Sequence, residues 1–267
     1  MDNPAQVFAD DSPQLPSPAN KAPIGWGRFI LQLFVVGFIY FAVSVAFAIP
    51  MIIDTVQSGS TEEPQLGSAL VAWSAIGSMG IAIIAAMLFL RREGRLKEAI
   101  RLEAPASWSQ TLLWAALGLV GTLTIFFVGA PLMEAIGLEA PDAAFVLDLV
   151  TESPALFVLW IVGVAWFAAG FGEEVIYRGW LTDRLERING LRGKAWPVIL
   201  IQAALFGLPH AYQGAGGMVV TGMVGVLFGW IRLKQGGNLW AVVLAHAAVD
   251  TVVMALAYAE KLGWVAG

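Results

Sequence analysis

Seven stretches of the chain, at about 27–53, 67–90, 109–133, 155–177, 196–212, 215–232 and 239–258, are almost continuously apolar, with polar segments between them. A helix needs about 20 apolar residues to cross a hydrocarbon layer roughly 30 Å thick. The pattern therefore predicts an all-α polytopic membrane protein of about seven transmembrane helices. The fifth and sixth stretches are short, and Pro209 stands near the far end of the fifth. Segment 142–150, "DAAFVLDLV", reads as a short helix on the outer surface. Residues 1–25 hold Pro, Asp and Ser without apolar periodicity and read as a disordered tail. The chain then divides into N-terminal transmembrane helices and loops over 26–154 and a core over 155–258.

The basic residues orient this arrangement. Fourteen of the fifteen Lys and Arg lie on one side if seven spans alternate, and the segments 54–66 and 134–154 contain none. The positive-inside rule places that side, and the N-terminus, in the cytoplasm. The loop "RREGRLKEAIR", Arg91 to Arg101, reads as a topology determinant beside anionic headgroups. Tryptophans near span ends, including Trp26, Trp108, Trp180, Trp196 and Trp240, read as an interfacial belt. Gly118, Gly121, Gly222, Gly225 and Gly229 are spaced for close helix packing.

Composition agrees with the pattern. The chain is 58% hydrophobic and 13% charged, with mean hydropathy +0.74, whereas soluble domains carry about 25% charged residues. The protein is expected in the plasma (inner) membrane as a multi-pass protein, with the lipid bilayer as its first partner. No basic stripe is interleaved with aromatics, so nucleic acid is not an expected partner. The absence of cysteine excludes disulfides, thiolate metal ligands and a cysteine nucleophile.

Chemistry concentrates in the last four spans. Glu173, Glu174 and Arg178 end the fourth, His210 lies late in the fifth, and His246 and Asp250 sit inside the seventh. Ionisable groups at membrane depth cost a few kcal/mol each, so they face interior cavities and find partners. One such residue is easily structural, but this set includes both histidines of the chain. Glu174 and Arg178 are four apart and can pair on one helix face, which leaves Glu173 about 100° away. His246 and Asp250 are also four apart, so Asp250 is the expected group to orient the imidazole.

These residues narrow the reaction type. No serine follows Ser153, and Asp250 is the only aspartate inside a span, so serine-type and two-aspartate intramembrane proteolysis both lack their groups. Two options remain. Glu173, His210 and His246 offer three protein ligands for a catalytic zinc. Alternatively, a glutamate and a histidine activate water with no cofactor.

The motif "EEVIYR" (Glu173 to Arg178), followed by "FGLPH" (Phe206 to His210) and "HAAVD" (His246 to Asp250), resembles the ordered motif set of the CAAX protease and bacteriocin-processing family. That resemblance implies a type II CAAX prenyl endopeptidase-like bundle enclosing an intramembrane cavity. It also implies an intramembrane endopeptidase acting on a peptide or lipidated-protein substrate near the cytoplasmic surface. By position, Glu173 and His210 would activate water, Glu174 and Arg178 would support them, and His246 with residue 250 would handle the oxyanion or scissile carbonyl. The prenyl endopeptidases have asparagine where this chain has Asp250, and an ionised aspartate cannot donate to an oxyanion. Two other functions fit buried Glu and His residues: a proton-coupled membrane carrier, and a non-catalytic immunity or scaffold member of the family.

Overall fold

A computed structural model describes residues 22–58 and 66–265. The expected tail therefore lies outside the described residues over 1–21, as does most of the loop 54–66. The described residues form helices, with no strand among them: α1 Trp26–Ser58, α2 Ser68–Arg92, α3 Leu96–Ala99, α4 Trp108–Ala135 and α5 Ala144–Thr151. A continuous run follows, made of α6 Pro154–Leu159, a π-helix Trp160–Leu181 and α7 Thr182–Leu185. After it come α8 Ala195–Gly207, a 3-10 turn Leu208–Gln213, α9 Gly214–Lys234 and α10 Trp240–Lys261. Ser107 and Ser153 start α4 and α6 by accepting hydrogen bonds from Gln110 N and Leu156 N, both at 3.3 Å.

Six helical runs are long and apolar enough to cross a membrane. The sequence pattern suggests seven, and the difference lies in the fifth run, Ala195–Lys234, which joins two of the expected spans. This run folds back on itself. The 3-10 turn carries His210 at φ −85°, ψ 17°, and Gly214 takes φ +81°, a conformation that glycine adopts without strain. The two legs then pack antiparallel with almost no space between them. A Cβ on Gly207 would strike the Met218 carbonyl, one on Gly225 would come within 2.8 Å of Ala203 Cα, and one on Gly229 within 3.0 Å of Ile199. The 13 residues of α8 rise about 20 Å, less than a hydrocarbon core. The legs are separated only by the short stretch 208–214, at the break that the apolar pattern shows.

Small residues set the other helix contacts too. Lipid tails are as apolar as leucine side chains, so close approach and dispersion replace hydrophobic exclusion. Gly118 lies against Ala245 and Ile231, and Gly121 against Leu227, which joins α4 to α9 and α10. Large apolar side chains face outward, Phe127 being 83% exposed and Phe34 65%, as a lipid-facing surface requires. Trp26, Trp108 and Trp196 are half exposed at helix starts, as a belt would be. Trp180 departs from that expectation, because it is buried in the core where α7 and the N-terminal segment close over it. Helix α5 forms where a short helix is expected, with Val150 buried against Trp160 and Met254.

The arginine-rich end of the bundle is closed by ion pairs. Glu93, just after α2, meets Arg28 at 2.8 Å, Arg184 at 2.6 Å and Arg187 at 2.5 Å. Asp183 receives Arg95 at 2.6 Å and stands 3.5 Å from both Arg184 and Arg187. Arg187 also ties down the segment just before α1, donating through Nε to the Ala22 carbonyl at 2.8 Å while its own carbonyl accepts from Ile24 N at 3.1 Å. The loop Arg91–Arg101, expected at the headgroups, thus sends Glu93 and Arg95 inward to fasten four parts of the chain together.

Candidate active site

The candidate residues converge where the π-helix crosses α10. Gly170 lets the backbones meet, since a Cβ there would lie 2.7 Å from Ala247 Cβ, beside His246. Gly172 does the same against Met79 of α2. The widened i→i+5 hydrogen bonding of the π-helix, a form often found at functional sites, then presents Glu173 and Glu174 in succession.

Glu174 and Arg178 pair at 2.9 Å, with both side chains fully buried. Glu174 Oε1 also accepts a hydrogen bond from His246 Nδ1 at 2.8 Å. The imidazole is therefore oriented by Glu174, and the expectation that Asp250 does this is corrected. Spacing along α10 does put Asp250 on the right face, but its Oδ2 stops 3.9 Å from Nε2, beyond hydrogen-bond reach. The Arg178 guanidinium lies over the Phe206 ring at 4.1 Å and near Phe228 at 5.2 Å, so an apolar, aromatic wall backs the ion pair.

On the other side of the imidazole, Nε2 faces two carboxylates, Asp250 at 3.9 Å and Glu173 Oε2 at 4.0 Å. These two are partly open, with side chains 26% and 23% exposed, whereas Glu174 is sealed. A gap of 4.0 Å between two polar atoms fits one water oxygen in contact with both.

His210 sits apart from this cluster. Its ring packs on Phe206 at 5.4 Å between centroids, and the His246 ring packs on Phe206 at 6.1 Å. Nδ1 of His210 donates to the Phe206 carbonyl at 3.1 Å, which leaves Nε2 as the ring's acceptor. The structure brings together Glu173, Glu174, Arg178, His246 and Asp250, while His210 joins them only through the Phe206 ring that it shares with His246. Among the described residues no three His, Asp or Glu side chains are arranged to hold a metal ion, and Glu173, His210 and His246 are not gathered as a ligand set. The geometry does not fit zinc at these three residues, and no step below runs through a metal.

Sequence reasoning missed Phe206 and Phe228 as walls of the site. Phe206 belongs to the quoted "FGLPH" stretch, so the signal was present. For Phe228 the only hint was its place one turn from Gly225 and Arg232 on α9.

A buried Glu–His–Arg cluster flanked by two half-open carboxylates, inside a bundle of membrane-spanning helices, defines a class: multi-pass membrane proteins with a polar reaction site. Residues 154–252 match the model of one protein family, described as Rce1-like: Type II CAAX prenyl endopeptidase Rce1-like. The matched stretch carries a domain like that of this family, whose description is that of an endopeptidase. No curated protein and no solved structure matches the chain.

Proposed function

We propose that this protein is an intramembrane endopeptidase that cleaves a peptide bond close to the cytoplasmic surface with a Glu/His-activated water. The observation that carries the reading is the gap between Glu173 Oε2 and His246 Nε2, 4.0 Å across and backed by a locked imidazole.

In this mechanism Glu173 takes a proton from a water held between the two atoms. The water oxygen bonds to the scissile carbonyl carbon, the carbon–nitrogen bond breaks, and Glu173 returns the proton to the leaving amine. His246 is the positioned partner, since its Nδ1 is committed to Glu174 and only Nε2 faces the reacting atoms. Arg178 keeps Glu174 in place and offsets its charge. His210 offers a free Nε2 beside the Phe206 ring, from which it contacts the substrate or its water. A lipidated peptide of the CAAX type is the substrate class that the family match supports.

The test is cleavage of a lipidated CAAX-type peptide by the purified protein, with Glu173→Ala and His210→Ala alongside. Both variants are expected to lose turnover, Glu173→Ala by about a thousandfold. Equal turnover by all three proteins would sink the mechanism. Cleavage that survives a strong chelator is the expected result, and its loss would restore the metal-dependent alternative.

A further inference from the structure

Hydrolysis inside a membrane needs water where the solvent is hydrocarbon. The π-helix and its continuation place Glu174, Arg178, Thr182 and Glu186 four residues apart, running from the site toward the arginine-rich end. All four are nine-tenths or more buried. Glu174 and Arg178 touch directly at 2.9 Å, and Glu186 pairs with Arg232 of α9 at 3.1 Å.

Facing this row from α8 is Gln202, 1% exposed, with neither amide atom bonded to a protein group. It lines a narrow hollow with Thr182, Glu186, Ile199, Gly229 and Arg232. Gly229 keeps the hollow open, because a Cβ there would press to within 3.2 Å of Gln202 Oε1. Further atoms along the same row lack a protein partner: Arg232 Nε at one end, then Arg178 Nε and Nη2, then Glu174 Oε2 beside His246. Each unpaired buried polar atom costs about 1–3 kcal/mol. Six of them on side chains along this row and facing it do not fit a dry core, and a polar hollow with two to four partners per position is where buried water resides.

We propose that ordered water occupies this line, held by Gln202 and Arg232, and that it links the arginine-rich end to the Glu174–His246 pair. Gln202 is then a positioning residue. It touches no reacting atom, but it holds the water that replenishes the reaction site. The inference rests on the hydrolase reading for its purpose, though not for its geometry.

The test pairs two substitutions that a structural role and a water-holding role rank in opposite order. Gln202→Leu fills the hollow with hydrocarbon, whereas Gln202→Ala enlarges it and leaves room for water. X-ray radiolytic hydroxyl labelling of the purified full chain, read by mass spectrometry, reports water beside buried side chains. Phe206 and Ile199 are the reporters, being 2% and 5% exposed. The expected result is labelling of both in the wild type and in Gln202→Ala, and its loss in Gln202→Leu. In the peptide assay Gln202→Leu should lower kcat about tenfold with KM unchanged, and Gln202→Ala should lower it by less, since water can enter the space it leaves. A wild type unlabelled at both reporters overturns the proposal. So does a Gln202→Leu protein that is labelled and turns over like the wild type, or a Gln202→Ala protein more impaired than Gln202→Leu. A wild type that is labelled but cleaves nothing upholds the water line and removes the hydrolase reading instead.

Discussion

At the arginine-rich end, two carboxylates, Glu93 and Asp183, are met by four guanidinium groups. At the candidate site, three carboxylates share one guanidinium and one imidazole. Both clusters are buried and both draw on the 154–185 run, so burial and location do not separate them. Saturation does. Every oxygen of Glu93 is taken and its partners come from two distant parts of the chain, α1 and residues 184–187, which suits a fastening. Glu173 and Asp250 stand near a nitrogen that neither touches, which leaves space for reacting atoms. A carboxylate paired as completely as Glu93 holds a fold together, and a carboxylate left unpaired beside a fixed imidazole is available for chemistry.

Substitutions can break this contrast, beginning with the largest effect. Glu173→Gln keeps the shape but not the base, and should lower peptide cleavage about a thousandfold with thermal stability close to wild type. A matching loss of stability would mean that Glu173 belongs to the fastening kind. Arg178→Met strands Glu174 without its cation and should destabilise the protein by about 3 kcal/mol, measured by denaturation in detergent. Adding Glu174→Leu to it should return most of the stability but none of the activity.

The fastening cluster should respond in the opposite way. Glu93→Gln is expected to lower stability by about 2 kcal/mol while the turnover of folded molecules stays unchanged. Acid adds a sharper test. Burial alone would push the Glu93 carboxyl up, but hydrogen bonds from Arg187 and Arg184 outweigh it and hold the group below its ordinary value of 4.5. Its stabilisation is thus complete above about pH 4.5 and is lost as pH falls through the lower folded value. Melting temperature against pH should show that acid limb in the wild type and a flatter one in Glu93→Gln. The smallest effect is expected at Asp250. Its carboxylate is not bonded to His246, so Asp250→Asn should change turnover by less than about tenfold, and a larger loss would give it a direct part in the reaction.

Much of this was legible in the sequence because it is local. Apolar windows predict helices one at a time, and the Glu174–Arg178 pair needs only a spacing of four. What could not be read was which helix supplies a partner. Spacing offered Asp250 to His246, since they share α10, but the carboxylate that binds it sits 72 residues earlier. The same blindness put Glu93 and Arg95 at the headgroups, when their partners lie 88 to 94 residues further on. The reversal near Gly214 was legible too, because the apolar pattern breaks between 196–212 and 215–232; what it did not show is which residues of α8 the glycines of α9 pack against. The π-helix has no hydropathy signature, because it changes which carbonyl each amide meets while the side chains stay the same.

The reach of the Glu93 fastening also sets an order of events during synthesis. Glu93 leaves the ribosome 91 residues before Arg184, a wait of roughly 5–20 s at ordinary elongation rates. Until then its carboxylate has neither of its two buried cations, and Ala22 and Ile24 lack the arginine that pins them. The fastening can close only after the run that carries Glu173 and Glu174 has emerged. A newly made chain that reaches the fastened state has therefore already delivered both glutamates of the candidate site.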